Sequence, residues 1–216
     1  MNNKQIKYQS RAIEPVLRQY LTLFPAIGVT GPRQSGKSTL LQEVLSDYRY
    51  ISFDDYQICE FFEQDPVGFM ETYDDKVIFD EVQKMPKLFN MVKIAVDKDR
   101  ARYGKFILTG SSQFSLLKHI SESLAGRIGL LTLLPFQISE LPKSLLKLDP
   151  NPAIYRGSYP ELVKRDYNGS EQWYAAYLDT YLNKDLRQIA NIGNLLDFKR
   201  LLHLLAANAS QVLNYS

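Results

Sequence analysis

The segment between positions 31 and 38 constrains the fold of this chain more than any other. Its sequence, GPRQSGKS, matches the pattern G-x-x-x-x-G-K-[ST]. A pattern this short also occurs by chance, so its surroundings decide its meaning. The apolar run Ala26–Thr30 ends directly before it, and apolar residues at helical spacing follow in Ser38–Leu45. The sequence therefore predicts a strand, a glycine-rich loop and a helix, which is the context that this pattern requires.

A loop of this kind, called the P-loop below, is predicted to hold the phosphates of a nucleotide. Its glycines let the backbone curl so that N–H groups converge on phosphate oxygens, and the next helix adds its positive end. The amine of Lys37 is expected to reach the β- and γ-phosphates, and the hydroxyl of Ser38 to ligate Mg²⁺. The predicted nucleotide-binding residues are Gly31, Pro32, Arg33, Gln34, Ser35, Gly36, Lys37, Ser38 and Thr39.

A second motif, VIFDE at positions 77–81, places two acids at the end of an apolar run. Asp80 is predicted to hold Mg²⁺ through water, together with Ser38, and Glu81 is the candidate base that orients the attacking water. The alternative is a solvated acidic pair at a strand end. The chain between the two motifs leaves room for one further strand. That spacing favours the ATPase branch of P-loop proteins over GTPase or simple kinase layouts.

Five short runs rich in Ile, Val, Leu, Phe or Tyr predict the strands of an α/β fold. Most are expected to be buried on both faces, as in a parallel sheet between helices. The stretches between them, about 20–25 residues each, are long enough for crossover helices. We predict a three-layer αβα fold with a mainly parallel five-stranded sheet, followed by a small α-helical segment. The strand runs are Ala26–Thr30, Arg49–Phe53, Lys76–Asp80, Lys105–Thr109 and Gly129–Leu134.

Small hydroxyl residues follow the fourth of these runs, in TGSS at positions 109–112. A polar side chain here is predicted to lie between the two motif strands and to contact the γ-phosphate or the attacking water. Ser112 is the first choice for this role and Ser111 the second. The alternative is a serine-rich cap of a helix over positions 114–119, and it is nearly as well supported.

Arg127 stands just before the last strand run, in LAGR at positions 124–127. An arginine here is a candidate finger that faces the γ-phosphate of a neighbouring subunit. Such fingers contribute about 10³–10⁵ in rate in other P-loop proteins. A lone arginine is more often solvated or structural, and that alternative stays open. The predicted catalytic residues are thus Lys37, Glu81, Ser112 and Arg127.

The pattern changes after position 134, where five prolines fall between positions 135 and 160 and mark a joint. Two helical stripes of apolar and aromatic residues follow. The favoured interpretation of both is packed core, and the alternative is a base-stacking or partner surface. The stripes consist of Trp173, Tyr174, Tyr177, Leu178, Tyr181 and Leu182, and of Phe198, Leu201, Leu202, Leu204 and Leu205. The segment NKDL at positions 183–186 does not fit the guanine-reading pattern, because leucine stands in place of its final aspartate.

The ordered set of these segments resembles the bacterial and archaeal AAA-like ATPases that pair an N-terminal P-loop domain with a C-terminal domain of unknown function containing a winged helix. The resemblance implies a sheet of the additional-strand ATPase type, ATP rather than GTP, and self-association, and the motif residues above predict that the ATPase depends on Mg²⁺. It also implies that Arg127 is a finger or γ-phosphate sensor. The matching segments are GPRQSGKSTL (31–40), VIFDEVQ (77–83), ILTGSSQF (107–114), ESLAGRI (122–128), YRGSYPELV (155–163) and WYAAYLDTYLNKDLRQI (173–189).

The same resemblance sets the expected domain boundaries. Residues 1–142 are predicted to form the AAA-like ATPase domain. Residues 143–216 are predicted to form a linker and the helical start of a C-terminal, winged-helix-containing domain that is incomplete, because the chain ends near the beginning of the expected winged helix.

Composition and charge exclude several other classes of protein. With 45% hydrophobic residues, one cysteine and a formal net charge of +2, the chain is neither disordered nor disulfide-stapled, and it carries no strong basic footprint. The first 18 residues hold no apolar signal region and no apolar run is long enough to span a membrane, which favours a cytoplasmic protein. We expect an ATPase that drives or switches a conformational change in a protein or DNA partner. The alternatives are a nucleotide-controlled binding module and a remnant that binds ATP with little hydrolysis.

Overall fold

The computed structural model describes residues 8–111, 113–141, 155–181 and 195–208. Ser112 and positions 183–186 therefore lie outside the described residues. The strands are β1 (Ala26–Thr30), β2 (Arg49–Ser52), β3 (Val77–Asp80), β4 (Phe106–Thr109) and β5 (Ile128–Thr132). The helices are α1 (Glu14–Tyr20), α2 (Lys37–Val44), α3 (Tyr56–Gln64), α4 (Pro66–Thr72), α5 (Lys87–Lys98), α6 (Gln113–Ser123), α7 (Pro160–Lys164), α8 (Ser170–Tyr181) and α9 (Leu195–Ala207).

Within the described ranges, β1 to β5 form one parallel sheet in the order β2-β3-β4-β1-β5. The predicted α/β class and five-stranded parallel sheet are confirmed. Strand β4 lies between β1 and β3, so the two motif strands are separated by an additional strand. Since all carboxyl ends of the strands meet at one edge of the sheet, the P-loop after β1 and the acids that end β3 lie at the same edge.

Apolar side chains cover both faces of the sheet and form two separate cores. On one face, a phenylalanine-rich cluster joins the sheet to α3, α4, α5 and α6. On the other face, aliphatic residues join it to α1 and α2. The strands β1, β3 and β4 are buried along their whole length, as their apolar sequences require. The result is the predicted three-layer arrangement.

Element boundaries differ from the predictions by one residue at the starts of β3 and β4, and by one or two residues at the sheet edges. The second strand run ends at Ser52, and the fifth spans Ile128–Thr132 where Gly129–Leu134 was expected. These two strands are the outer ones, so they are less completely buried and their apolar patterns are weaker. The sequence of residues 56–72 was expected only to cross over the sheet. It forms α3 and α4, each started by an aspartate side chain that accepts a backbone N–H.

The chain divides into two compact units, residues 1–168 and 169–216. Helix α7 belongs to the first unit, where Leu162 is fully buried and the N–H of Phe136 donates to the carbonyl of Ser158. The proposed division after residue 142 stays a prediction. In the second unit, the rings of Trp173 and Tyr177 stack at 5.2 Å on α8.

The packed-core interpretation is wrong for three leucines of the second stripe and for Leu178 of the first, which is 45% exposed. Leu201, Leu204 and Leu205 on α9 are 41–62% exposed. The periodicity that suggested a core identifies an apolar helix face and not what covers it. No helix among the described residues combines the length and apolarity needed to cross a membrane.

Candidate active site

The P-loop joins β1 to α2 through backbone conformations that only glycine adopts easily. Gly31 has a φ of +136°, and a Cβ atom there would stand 2.1 Å from the carbonyl oxygen of Leu133. Gly36, with a φ of +94°, is the N-cap of α2. The first N–H groups of a helix have no partner within it, so the start of α2 offers donors and a positive dipole end beside the loop. This arrangement suits an anion.

The side chain of Lys37 turns back over the loop. Its Nζ donates to the carbonyl oxygens of Gly31 and Pro32, both at 2.9 Å, and the residue is 8% exposed. The buried ammonium group held against the loop gives the loop a positive charge. This charge, together with the N–H donors at the start of α2, has the sign that binding of phosphate oxygens requires.

Ser38 and Asp80 meet across the sheet edge, as the magnesium prediction requires. The Ser38 hydroxyl donates to Oδ2 of Asp80 at 2.7 Å, and Asp80 is 5% exposed. The other carboxylate oxygen accepts the N–H of Glu81 at 2.9 Å. Hydroxyl and carboxylate oxygens are hard donors of the kind that Mg²⁺ prefers, and Mg²⁺ commonly takes few protein ligands. The residues present therefore fit a bound Mg²⁺.

Tyr50 is a site residue that the sequence analysis missed. Its hydroxyl donates to the same Oδ2 of Asp80. Burial, and then this hydrogen bond, raise the pKa of the Tyr50 phenol well above its usual value, so it remains a donor. The contact between Tyr50 and Asp80 follows from the register of β2 and β3. Tyr50 pairs with Ile78, two residues before Asp80, and alternate residues of a strand share a face.

Glu81 follows β3 in a left-handed conformation with a φ of +56°. Its Oε2 accepts the Ser111 hydroxyl at 2.9 Å and the side-chain amide of Gln83. The Ser111 backbone N–H is also 3.4 Å from Oε2. The end of β4 thus contacts the end of β3, and Ser111, the second choice for this position, is the serine that reaches Glu81. A role of Ser112 stays a prediction.

Arg127 lies far from the P-loop of its own chain. It pairs with Asp97 on α5 through Nε at 2.8 Å and Nη2 at 3.1 Å. The adjacent Ile128 pairs with Ala26, at the start of β1, whereas the P-loop follows the end of that strand. Five strand residues span about 16 Å, so Arg127 does not reach its own site. The two hydrogen-bonding arginines Arg127 and Arg100, with Arg127 the stronger influence, lower the pKa of Asp97 to about 2. A finger role in a neighbouring subunit stays a prediction.

A buried arginine fixes the back of the P-loop, and no sequence signal pointed to it. Arg11 donates to the carbonyl oxygens of Ser35 at 2.9 Å and Leu134 at 2.7 Å, and it pairs with Glu140 at 3.2 Å. Its guanidinium also lies 4.7 Å from the ring centre of Phe136. These partners lie 24 to 129 residues after Arg11 in the sequence, so only the fold brings them together.

Comparisons with known proteins agree with this architecture. Residues 23–142 match a family model described as "AAA domain", and residues 149–216 match one described as a domain of unknown function. Uncharacterised proteins of Mycobacterium tuberculosis and Mycobacterium bovis are each 29% identical over 174 residues, which is 80% of this chain. The chain spans only 38% of the length of these relatives.

Among solved structures, a Walker-type ATPase of Pyrococcus abyssi superposes with a TM-score of 0.57. It is 18% identical to this chain, and the match covers 85% of this chain and 77% of the other. At this level of identity the superposition shows a shared fold.

Proposed function

The chain belongs to the AAA domain family, and from that membership we propose that it binds ATP with Mg²⁺ and hydrolyses it at the P-loop. The observation that carries the proposal is the contact between Ser38 and Asp80 beside the buried amine of Lys37. It brings a phosphate cradle and a divalent-cation site to the same edge of the sheet.

Each group of the site has a defined role in the proposed reaction. Lys37 and the P-loop backbone hold the β- and γ-phosphates, and Ser38 and Asp80 hold Mg²⁺. Bound Mg²⁺ supplies charge neutralisation on the phosphate oxygens. Glu81 accepts a proton from water as the water oxygen bonds to the γ-phosphorus. The bond from that phosphorus to the bridging oxygen then breaks, and ADP leaves with those electrons.

A small hollow lies beside the P-loop, bounded by Gly36 and Thr39 from the loop and helix α2, and by Tyr8, Phe136 and Pro160. Its volume of about 40 Å³ is far below the roughly 300–1,000 Å³ of ligand pockets, so the nucleoside is not assigned to it.

We also propose that nucleotide turnover drives or switches a conformational change in a partner. The exposed leucines of α9 support a protein partner, since an apolar helix face needs a cover. Hydrogen exchange of residues 169–216 measured with and without ATP tests the coupling. Identical exchange in both states would contradict it.

Two substitutions test binding and hydrolysis separately. A hydrogen bond to a charged group contributes about 1.5–3 kcal/mol, so Lys37→Ala should weaken ATP binding about 10- to 100-fold. Lys98→Ala, at the exposed end of α5, is the matched control and should leave affinity unchanged. Glu81→Gln should keep ATP bound and lower turnover by about 10²–10⁴.

Titration calorimetry gives the affinities, and phosphate release gives the rates. Unchanged ATP affinity in Lys37→Ala would contradict the binding site. A wild-type protein that binds ATP without hydrolysing it would contradict the hydrolysis step and favour the nucleotide-controlled binding module.

A further inference from the structure

Gln83 lies in the short turn Val82–Lys84 that follows β3, and its side chain points back toward Glu81. The amide Nε2 donates to Oε2 of Glu81 and is 3.4 Å from the hydroxyl of Ser111. Gln83 ends the motif VIFDEVQ, yet the proposed reaction assigns it no role. Its amide is nevertheless the nearest neutral donor to the proposed base besides Ser111.

Gly110 makes room for this amide. A Cβ atom at Gly110 would stand 2.0 Å from Oε1 of Gln83 and 3.2 Å from its Cδ. No real side chain tolerates a contact of that length, so any larger residue at position 110 would displace Gln83. The end of β4 is therefore shaped to accept the glutamine beside Glu81.

The position of the Gln83 side chain lowers the stability of the fold, so stability does not explain it. Its Oε1 is buried and has no hydrogen-bond partner among the described residues. Unpaired buried carbonyl groups are disfavoured in folded proteins, and the left-handed backbone of Glu81 is a second strained feature at the same place. Two features that lower stability at the same point of a fold indicate that this point serves a function.

Within the part of the chain that the structure describes, the carboxylate of Glu81 is held on one side. It accepts hydrogen bonds from Gln83 and Ser111, and all of them reach Oε2. Among the described residues no lysine or arginine forms an ion pair with Glu81, and the nearby Lys84 pairs with Asp54 instead. Neutral donors therefore determine the direction of the carboxylate, and Oε1 remains available to the attacking water.

We propose that Gln83 is a positioning residue, which orients the Glu81 carboxylate through Oε2 so that Oε1 accepts the proton of the attacking water. The proposal rests on the hydrolysis proposed above. A base that is misplaced by about 1 Å loses about 10²-fold in rate, so the amide has a measurable effect without touching the substrate.

The test measures single-turnover hydrolysis of bound ATP and, separately, ATP affinity. Gln83→Met keeps the length of the side chain and removes its donors; it should slow hydrolysis about 10- to 100-fold and leave affinity unchanged. Gly110→Ala should have the same effect by displacing the amide, and the double variant should be no slower than Gln83→Met alone. Gln64→Met removes an exposed amide that donates to Glu60 and is the matched control.

A further comparison separates positioning from a structural role. In a Glu81→Gln background, Gln83→Met should cause no additional loss, because the base that it orients is already gone. An additional loss there, an equal loss of ATP affinity, or a wild-type rate in both Gln83→Met and Gly110→Ala would overturn the proposal. Absence of hydrolysis by the wild-type protein would instead overturn the proposed function, and this inference with it.

Discussion

The Ser38 hydroxyl donates to Asp80 Oδ2 across 2.7 Å, although the two residues stand 42 positions apart. The contact joins the start of α2 to the end of β3 across the intervening β4. Tyr50, from the outer strand β2, donates to the same oxygen. Side chains from two elements, α2 and β2, thus donate to the carboxylate that ends β3, which fixes the direction in which Asp80 faces the P-loop.

This convergence predicts that Tyr50 controls cation affinity. Partners that orient a metal-binding carboxylate typically contribute about 10- to 100-fold in affinity, so Tyr50→Phe should raise the Mg²⁺ concentration needed for half-maximal turnover by that factor. Binding of ATP in the presence of EDTA should not change. Tyr56→Phe, which alters a ring that is 77% exposed, serves as the control. An unchanged Mg²⁺ requirement in Tyr50→Phe would show that Tyr50 does not orient Asp80 for cation binding.

The ion pair between Arg11 and Glu140 predicts a large effect on stability. Both side chains are about 95% buried, at 4% and 5% exposure. Removing one partner of a buried pair leaves an uncompensated charge, so Glu140→Gln should lower the free energy of unfolding by about 3–5 kcal/mol. Asp47→Asn breaks an exposed pair with Lys76 and should cost less than about 1 kcal/mol. Urea denaturation measures both, and similar losses in the two variants would contradict the prediction.

Alanine substitutions at Gly31 and Gly126 distinguish the effect of backbone strain from that of a steric clash. Both glycines have a positive φ. A Cβ atom at Gly31 would stand 2.1 Å from the carbonyl oxygen of Leu133, whereas a Cβ atom at Gly126 would have no atom within 4 Å. Gly126→Ala should therefore cost about 1–2 kcal/mol in stability, the usual penalty of a left-handed residue. Gly31→Ala should cost more and should also weaken ATP binding, because the P-loop must move. Thermal unfolding and ATP titration of the two variants give the comparison, and an unaltered ATP affinity in Gly31→Ala would contradict it.

The sequence predicted the buried strands and the two motifs well, for a physical reason. Strands β1, β3 and β4 are buried on both faces, so their apolar runs are nearly continuous and their predicted limits differ from the observed ones by at most one residue. The strand predicted from the spacing of the motifs is β2, which lies at the edge of the sheet, whereas the additional strand between β1 and β3 is β4, which follows the second motif along the chain. At the outer strands the pattern is diluted by exposed positions, and the limits predicted there shift by one or two residues.

Contacts between distant segments were not predictable in the same way. Arg11 and Glu140 carry no local pattern, and their pairing arises only when the sheet folds. Gln83 was visible within its motif, but the close approach to Gly110 that holds it is a tertiary contact. Tyr50 lies between these cases. Its contact follows from the strand register once β2 and β3 are known to be neighbours.

The position of Arg127 predicts that this residue completes the active site of a neighbouring subunit. Because it lies about 16 Å from the level of its own P-loop, it can act only on a neighbouring site. Arg127→Ala should then spare ATP binding and abolish most turnover. Arg100→Ala removes the other arginine that binds Asp97, is exposed, and should leave turnover unchanged.

Complementation gives the decisive measurement. At an ATP concentration too low to fill its weakened site, Lys37→Ala leaves its own P-loop empty but still presents Arg127, whereas Arg127→Ala retains an intact P-loop. An equal mixture of the two inactive variants should therefore recover turnover, to about a quarter of the wild-type rate if the assembly is a two-fold dimer. The wild-type rate per protomer should also rise with protein concentration. A mixture that stays inactive, together with a wild-type rate independent of concentration, would assign Arg127 to the structural pair with Asp97 and remove it from the reaction.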